Sequence, residues 1–127
     1  MSRERKIPDA SHPITVQPTP GHVRVLVGDT VIAESDSSLT LREASYPPVQ
    51  YVPLADIDAS VLSRTETSTY CPFKGDASYY SVTTADGSVA DAGWAYDEPY
   101  DAVAQIATHV AFWPGRAEVI VDEPALK

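Results

Sequence analysis

Short runs of alternating apolar and polar residues, separated by glycine and proline, fill the first half of the chain. Alternation with a period of two is typical of β-strands that bury one face. Residues 14–54 are therefore predicted to form strands, at 23–27, 30–35, 39–43 and 49–52. Gly28 and Asp29 lie between the first two strands and form a two-residue hairpin signal.

The fourth of these strands is bracketed by prolines. Pro47 and Pro48 precede it, and Pro53 follows it. Because proline cannot donate a hydrogen bond to a β-ladder, we expect this strand to be short and to lie near an edge of the sheet.

The second half of the chain contains another strong hairpin signal at Asp86-Gly87. Strands are predicted on either side of it, at residues 77–84 and 88–96. A two-residue turn at this point sets Tyr79 opposite Trp94. A bulge at Gly93 would slip that register by one residue.

One helix is predicted after Pro99, because proline suits a first helical turn. Four apolar residues follow with the spacing of a buried helical stripe, namely Val103, Ile106, Ala107 and Val110. Residues 113–115 end the helix, a last strand is predicted at 117–121, and residues 56–62 form one short helical turn. The pattern as a whole predicts a mainly β fold with one helix in its C-terminal half.

The chain is predicted to consist of one globular β domain, residues 14–122, with a short tail at each end. Residues 1–13 are polar and aperiodic, which favours a flexible tail, and residues 123–127 form the C-terminal tail. A chain of 127 residues has room for a single hydrophobic core. No apolar run approaches the length of a membrane span, so the default expectation is a cytoplasmic protein without membrane contact.

The chain is acidic, with a formal net charge of −9. Binding to nucleic acid through phosphate neutralisation requires a cationic face, so a nucleic-acid partner is not expected. An anionic small molecule held by one or two arginines stays possible, since the local field matters more than the total charge.

Cys71 and Lys74 share a tight turn that is framed by Pro72 and Gly75. A single cysteine excludes an internal disulfide and a zinc site built from several thiolates. Cys71 is a candidate nucleophile, which would require a nearby cation and an adjacent base. None of the three histidines is an obvious base, because they lie in the tail, at a strand start and near the end of the predicted helix: His12, His22 and His109. The alternative, which we favour, is that Cys71 is a small buried apolar residue.

Glu43 is in phase with Leu39 and Leu41 along its predicted strand. If the leucines point into the core, Glu43 follows them. A carboxylate there needs hydrogen-bond donors, or desolvation raises its pKa. Alternatively, the strand ends early and Glu43 reaches solvent.

The aromatic residues predict a pocket. All seven tyrosines lie between residues 46 and 100, with Trp94 among them. Aromatic rings with polar tips suit a site that stacks a flat ligand and hydrogen-bonds its edge. An ordinary β core is the alternative for any single ring. No metal or cofactor is predicted, because no two histidines are near each other and no acidic run has calcium-loop spacing.

Several motifs together resemble a widespread bacterial family, domain of unknown function 427, which is also labelled nucleotidyltransferase-like. The motifs occur in order over residues 20–122, at 41–43, 46–53, 56–57, 69–75, 77–79, 94–96, 99 and 110–112. The resemblance implies a compact single-domain β roll or β-tent-like sheet. Nucleotidyl transfer usually needs paired carboxylates for magnesium and a glycine-rich phosphate cradle, and the sequence displays neither.

The sequence therefore predicts a domain that binds an unidentified small molecule in an aromatic, carboxylate-lined pocket. The candidate ligand-binding residues are Tyr46, Tyr51, Lys74, Tyr79, Trp94 and Arg42, the last because it adjoins Glu43 in the shared motif. One alternative is a small enzyme that uses Glu43 as acid or base, or Cys71 as nucleophile. Another is a protein-interaction module, and the sequence leaves the oligomeric state open.

Overall fold

In the computed structural model, residues 6–122 are described, and they form ten β-strands in two antiparallel sheets. The strands are β1 (Ile14–Pro18), β2 (His22–Val27), β3 (Thr30–Ser35), β4 (Leu39–Glu43), β5 (Val49–Pro53), β6 (Leu62–Cys71), β7 (Gly75–Thr84), β8 (Gly87–Tyr96), β9 (His109–Phe112) and β10 (Glu118–Asp122). The larger sheet has the order β1-β4-β5-β9-β8-β7-β6, and the smaller has the order β10-β2-β3. The predicted mainly β, single-domain fold is confirmed.

Alternation along the central strands of the larger sheet gives the domain two apolar clusters. In β5, Val52 faces the smaller sheet and Tyr51 faces the opposite side. In β9, Val110 and Ala111 divide in the same way. Because neighbouring side chains of a strand point to opposite faces, the centre of the larger sheet is buried on both sides.

The hairpin predicted at Gly28-Asp29 is present between β2 and β3. Tyr79 pairs with Trp94 as predicted. The turn itself lies one residue earlier than predicted, because Thr84 pairs with Gly87.

The irregularity in the β7–β8 ladder lies near Asp91 and not at Gly93. The register changes between the Tyr80–Gly93 and Val82–Val89 pairs, which leaves extra residues in β8. Among these is Asp91, whose φ of 48° is unusual for a residue with a side chain. The shift of the turn and the bulge compensate each other, so the Tyr79–Trp94 pair keeps its predicted register.

The predicted C-terminal helix is a 3₁₀ segment at Asp101–Ile106, interrupted by non-helical angles at Val103. Val110 belongs to β9 and not to a helix. The apolar spacing was misleading because it arises from two elements: Val103 and Ile106 bury one face of the 3₁₀ segment, and Val110 packs into the core between the sheets. The short turn predicted at 56–62 is two 3₁₀ turns, Leu54–Asp56 and Ala59–Val61.

The prediction gave β5 the wrong position in the sheet and missed β6. The bracketed strand β5 lies inside the larger sheet, between β4 and β9, so its predicted edge position is wrong. Its prolines are tolerated because Pro53 is the last residue of the strand, and the following Leu54 amide donates to the Thr108 carbonyl at 2.8 Å. Strand β6 was not predicted because its central residues are polar and exposed, as suits the edge strand that it is.

No helix within residues 6–122 is long and apolar enough to cross a membrane.

Gly93 is predicted to be required for close packing of β8 on β9. A Cβ atom at this position would lie 2.9 Å from the Ala111 carbonyl oxygen and 3.0 Å from a Val110 methyl group. We expect Gly93→Ala to lower the free energy of unfolding by about 1–3 kcal/mol, because the backbone of β8 or β9 has to shift to make room for the methyl group. Urea unfolding measures the change, with Ser63→Ala on the exposed part of β6 as the control. Equal stability of Gly93→Ala and the wild type would contradict this account.

Candidate functional site

A charged pair joins the end of β4 to the turn between β6 and β7. Lys74 is only 8% exposed, and its Nζ donates a hydrogen bond to Glu43 Oε1. Glu43 follows Leu41 on the same face of β4, so the predicted phase carries it inward. The exposed fraction of the Glu43 side chain is 15%. Glu43 is therefore partly buried, as its phase with the leucines predicts, and it contacts the turn at residues 71–75.

The turn holds Lys74 in place through its backbone. The Lys74 amide donates to the Cys71 carbonyl at 3.2 Å, and the Lys74 carbonyl accepts from the Tyr100 amide at 3.0 Å. Gly75 follows with a φ of 111°, a value that side-chain-bearing residues rarely adopt. This geometry directs the lysine ammonium toward Glu43.

His12 completes the charged group, although sequence reasoning had set it aside. Its Nε2 lies 2.7 Å from Glu43 Oε2, and its ring stacks on Phe73 with centroids 4.1 Å apart. The described part of the predicted tail thus lies against the turn, since the Lys6 amide also donates to the Pro72 carbonyl at 2.8 Å. Residues 1–5, and 123–127 at the other end, lie outside the described residues.

A sequence signal for His12 existed. The apolar alternation that starts at Ile14 defines β1, and β1 pairs with β4 so that Ile14 is opposite Glu43. His12 is two residues before Ile14 and therefore emerges next to the carboxylate. Pairing β1 with β4 from sequence would have identified it.

The pKa of Glu43 is lowered by its partners. Burial of the carboxylate raises the pKa, but the hydrogen bonds from Lys74 and His12, together with their charge, outweigh that effect. The net pKa lies below the ordinary value of 4.5. Glu43 is consequently ionised at neutral pH.

Beside this pair lies a cavity of about 290 Å³, which we call the aromatic cavity. Period-two alternation in β4, β5, β7 and β8 brings its walls to one face of the larger sheet. The cavity is lined by Leu41, Glu43, Tyr46, Pro47, Val49, Tyr51, Lys74, Tyr79, Trp94, Tyr96 and Trp113.

Hydrogen bonds fix several of the aromatic rings. Trp94 Nε1 donates to the Tyr51 hydroxyl at 3.2 Å, and the two rings meet edge to face. The Tyr79 hydroxyl lies 3.0 Å from Thr69 Oγ1. Burial raises the pKa of both Tyr51 and Tyr96, so these phenols stay protonated at neutral pH.

Two predicted site residues do not line the aromatic cavity. Arg42 is exposed and, as neighbour of Glu43 in β4, points to the other face of the sheet. Cys71 is half-buried and packs against the apolar cluster around Tyr51, with Sγ 3.8 Å from Lys74 Nζ. Within residues 6–122, no three histidine, cysteine or acidic side chains are grouped so as to hold a metal ion.

Trp113 was missed as a site residue, because its Trp-Pro-Gly context suggested only a helix end. Its ring lies 4.7 Å from that of Trp94, at an angle of 46°. Its backbone amide donates to the Ala92 carbonyl at 2.9 Å, which extends the β8–β9 contact. The indole is 41% exposed, an unusual position for a large aromatic side chain and a signal that only the structure provides.

A second, larger cavity of about 890 Å³ adjoins the aromatic cavity, and we call it the apolar groove. The two share Tyr46, Pro47, Val49, Trp94 and Trp113. The groove continues to residues of the smaller sheet, among them Leu26, Val119 and Val121.

Fold and site together define a two-sheet β domain with a charged pair beside an aromatic cavity. The profile of one family, described as Domain of unknown function (DUF427) and named NTP_transf_9, matches residues 15–123. The chain belongs to this family, which confirms the resemblance seen in its motifs. All residues that line the aromatic cavity lie within the matched region, whereas His12 precedes it. A comparison with curated proteins gives no match.

The ion pair is predicted to stabilise the fold in a pH-dependent manner. Glu43→Gln leaves the buried Lys74 without its carboxylate, and we expect a loss of about 1–3 kcal/mol at pH 7. The pKa of Glu43 is lower in the folded state than in the unfolded state. The stabilisation by its carboxylate is therefore complete above the unfolded-state pKa of about 4.5, and it is lost as the pH falls through the folded-state pKa. Urea unfolding of both proteins from pH 7 to pH 3 should show the difference shrinking at the acidic end. Glu66→Gln, at an exposed position of β6, is the matched control and should show neither effect.

His12 is predicted to stabilise the turn in two ways that substitutions can separate. His12→Phe retains an aromatic ring against Phe73 but loses the hydrogen bond to Glu43, and we expect a cost of about 1 kcal/mol. His12→Ala loses both and should cost about 2 kcal/mol. Chemical unfolding at pH 7 measures both values, and identical stability of the two variants would show that stacking contributes nothing.

Proposed function

We propose that the protein binds a small molecule in the aromatic cavity and that the Glu43–Lys74 pair recognises a polar group of this ligand. The observation that carries the proposal is the ion pair itself, two largely buried charges at the wall of an aromatic cavity. Family membership supplies no activity, so the proposal rests on the site.

Stability alone is a poor reason for such a pair. Desolvating two charges costs several kcal/mol per ion, and well-packed apolar residues in their place are often equally or more stable. A pair that borders a cavity is instead well placed to present a donor and an acceptor to a ligand in a water-poor environment. Lys74 and Glu43 both line the aromatic cavity.

The remaining walls support ligand binding. Ligand sites are typically concave and mainly apolar, with a few oriented polar groups. The phenols and indoles of Tyr51, Tyr79 and Trp94 combine flat apolar faces with hydrogen-bonding edges. With about 290 Å³, the cavity accommodates a compact group such as a substituted ring.

The enzyme hypotheses have weaker support. Glu43 is ionised at neutral pH and accepts hydrogen bonds at both oxygens, which disfavours it as a general acid. A nucleophilic Cys71 would need an adjacent base, whereas its thiol packs against the apolar cluster around Tyr51.

Intrinsic fluorescence tests the proposal directly, because both tryptophans of the chain line the aromatic cavity. Phenol and benzamide serve as probes, and native mass spectrometry of the freshly isolated protein tests for a co-purified molecule. We expect saturable quenching with the wild type. Lys74→Met and Glu43→Gln should weaken binding about tenfold or more, because hydrogen bonds to charged groups are lost.

Two further variants separate binding from folding. Arg42→Ala removes a charge near the site but outside the cavity and should bind like the wild type. Trp113→Leu alters an exposed wall residue without touching the ion pair and should weaken binding while far-UV circular dichroism and the free energy of unfolding stay native-like. Absence of a co-purified molecule together with absence of saturable binding by every probe would overturn the proposal.

A further inference from the structure

The apolar groove begins where two strands of the larger sheet separate. The β5–β9 ladder contains two pairs, Val52–Val110 and Pro53–His109, within the described residues. Continuing this register would set Gln50 opposite Phe112, but no such pair forms and both residues line the groove. The groove is therefore a gap between diverging strands of one sheet.

The gap connects the aromatic cavity to the smaller sheet. Tyr46, Val49 and Trp113 border both cavities, so the two cavities adjoin along these side chains. Beyond these shared residues the lining is mostly apolar, with Leu26, Phe112, Ala117, Val119 and Val121 along its length. Gln50 and Glu118 are the polar side chains of the groove lining. The charged pair of the adjoining sites is consequently Glu43–Lys74, and the groove offers a mainly apolar surface.

We infer that the ligand is an amphipathic small molecule, with a neutral hydrogen-bonding head in the aromatic cavity and a hydrocarbon body in the apolar groove. This inference rests on the proposed function and specifies its ligand class. Tyr46 and Trp113 are 63% and 41% exposed at the junction of the two cavities, and a hydrocarbon body would cover them. Removing this apolar surface from water supplies the driving force.

The head of the ligand is neutral because the Glu43–Lys74 pair has little net charge. Glu43 and Lys74 compensate each other, so a ligand carboxylate or phosphate would gain from Lys74 and lose to Glu43. The formal net charge of −9 also repels anions over longer distances. A hydroxyl group can accept from Lys74 and donate to a carboxylate oxygen, and it carries no desolvation cost of a charge.

A homologous series tests this chemistry. The probes are 1-alkanols from butanol to decanol and the alkanoates of equal chain length, each followed by tryptophan fluorescence and by calorimetry. We expect the affinity of the alkanols to rise about fourfold for each methylene until the groove is filled. Each alkanol should bind more tightly than the alkanoate of the same length.

A variant of the groove provides the internal control. Leu26→Gln retains the side-chain volume but makes the lining polar, and it should flatten the dependence on chain length while leaving the binding of phenol unchanged. Leu54→Gln is the same exchange at a partly exposed position outside both cavities and should behave like the wild type.

The outcomes separate the inference from the proposed function. If phenol binds but alkanol affinity is independent of chain length, the apolar groove is not part of the site and the inference fails while the proposed function stands. Tighter binding of alkanoates than of alkanols would overturn the neutral head. If no probe binds at all, the proposed function fails as well.

Discussion

The structure of this site depends on the need to compensate one buried ammonium group. Lys74 is almost enclosed, and an ammonium group without its carboxylate at that position would cost a sizeable share of the small free energy that stabilises a domain of this size. Glu43 supplies the opposite charge, and His12 satisfies the second carboxylate oxygen. The turn, the end of β4 and the segment before β1 are thereby held in one arrangement. A rigid polar corner results, against which the aromatic rings are packed.

The larger sheet places further polar and aromatic side chains next to this ion pair. Side chains two residues apart in β4, β5, β7 and β8 face the same way, so one surface of the larger sheet carries a carboxylate, phenols and an indole together. The opposite surface receives the smaller sheet and forms an ordinary aliphatic core. One face of the larger sheet thus forms an aliphatic core, and the other combines a second buried cluster with polar aromatic side chains.

Sequence patterns predicted the features that depend on local periodicity. They missed the features that depend on the pairing of strands far apart in the sequence. The phase of Leu39, Leu41 and Glu43 predicted an inward carboxylate. The hairpin signal predicted the Tyr79–Trp94 pair, which forms because the shift of the turn and the bulge in β8 compensate each other. His12 was missed because its place depends on the pairing of β1 with β4, and the alternation from Ile14 indicates a strand without indicating its partner. Trp113 was missed because its role depends on the separation of β5 from β9. The predicted helix failed because helical spacing arose by coincidence from a 3₁₀ segment and a strand.

The two-pair ladder between β5 and β9 also bears on how the molecule folds. It joins β1, β4 and β5 to the other four strands of the larger sheet. Each of these halves can gain contacts between neighbouring strands early, whereas Val52 and Val110 meet only after a long loop has closed, an entropic cost that few backbone pairs repay. Glu43 belongs to the first half, and Lys74 and Trp94 belong to the second. With this seam open, Glu43 would stand apart from Lys74 and the cavity would lack one of its walls, so the site depends on the closure of the sheet between strands far apart in the sequence.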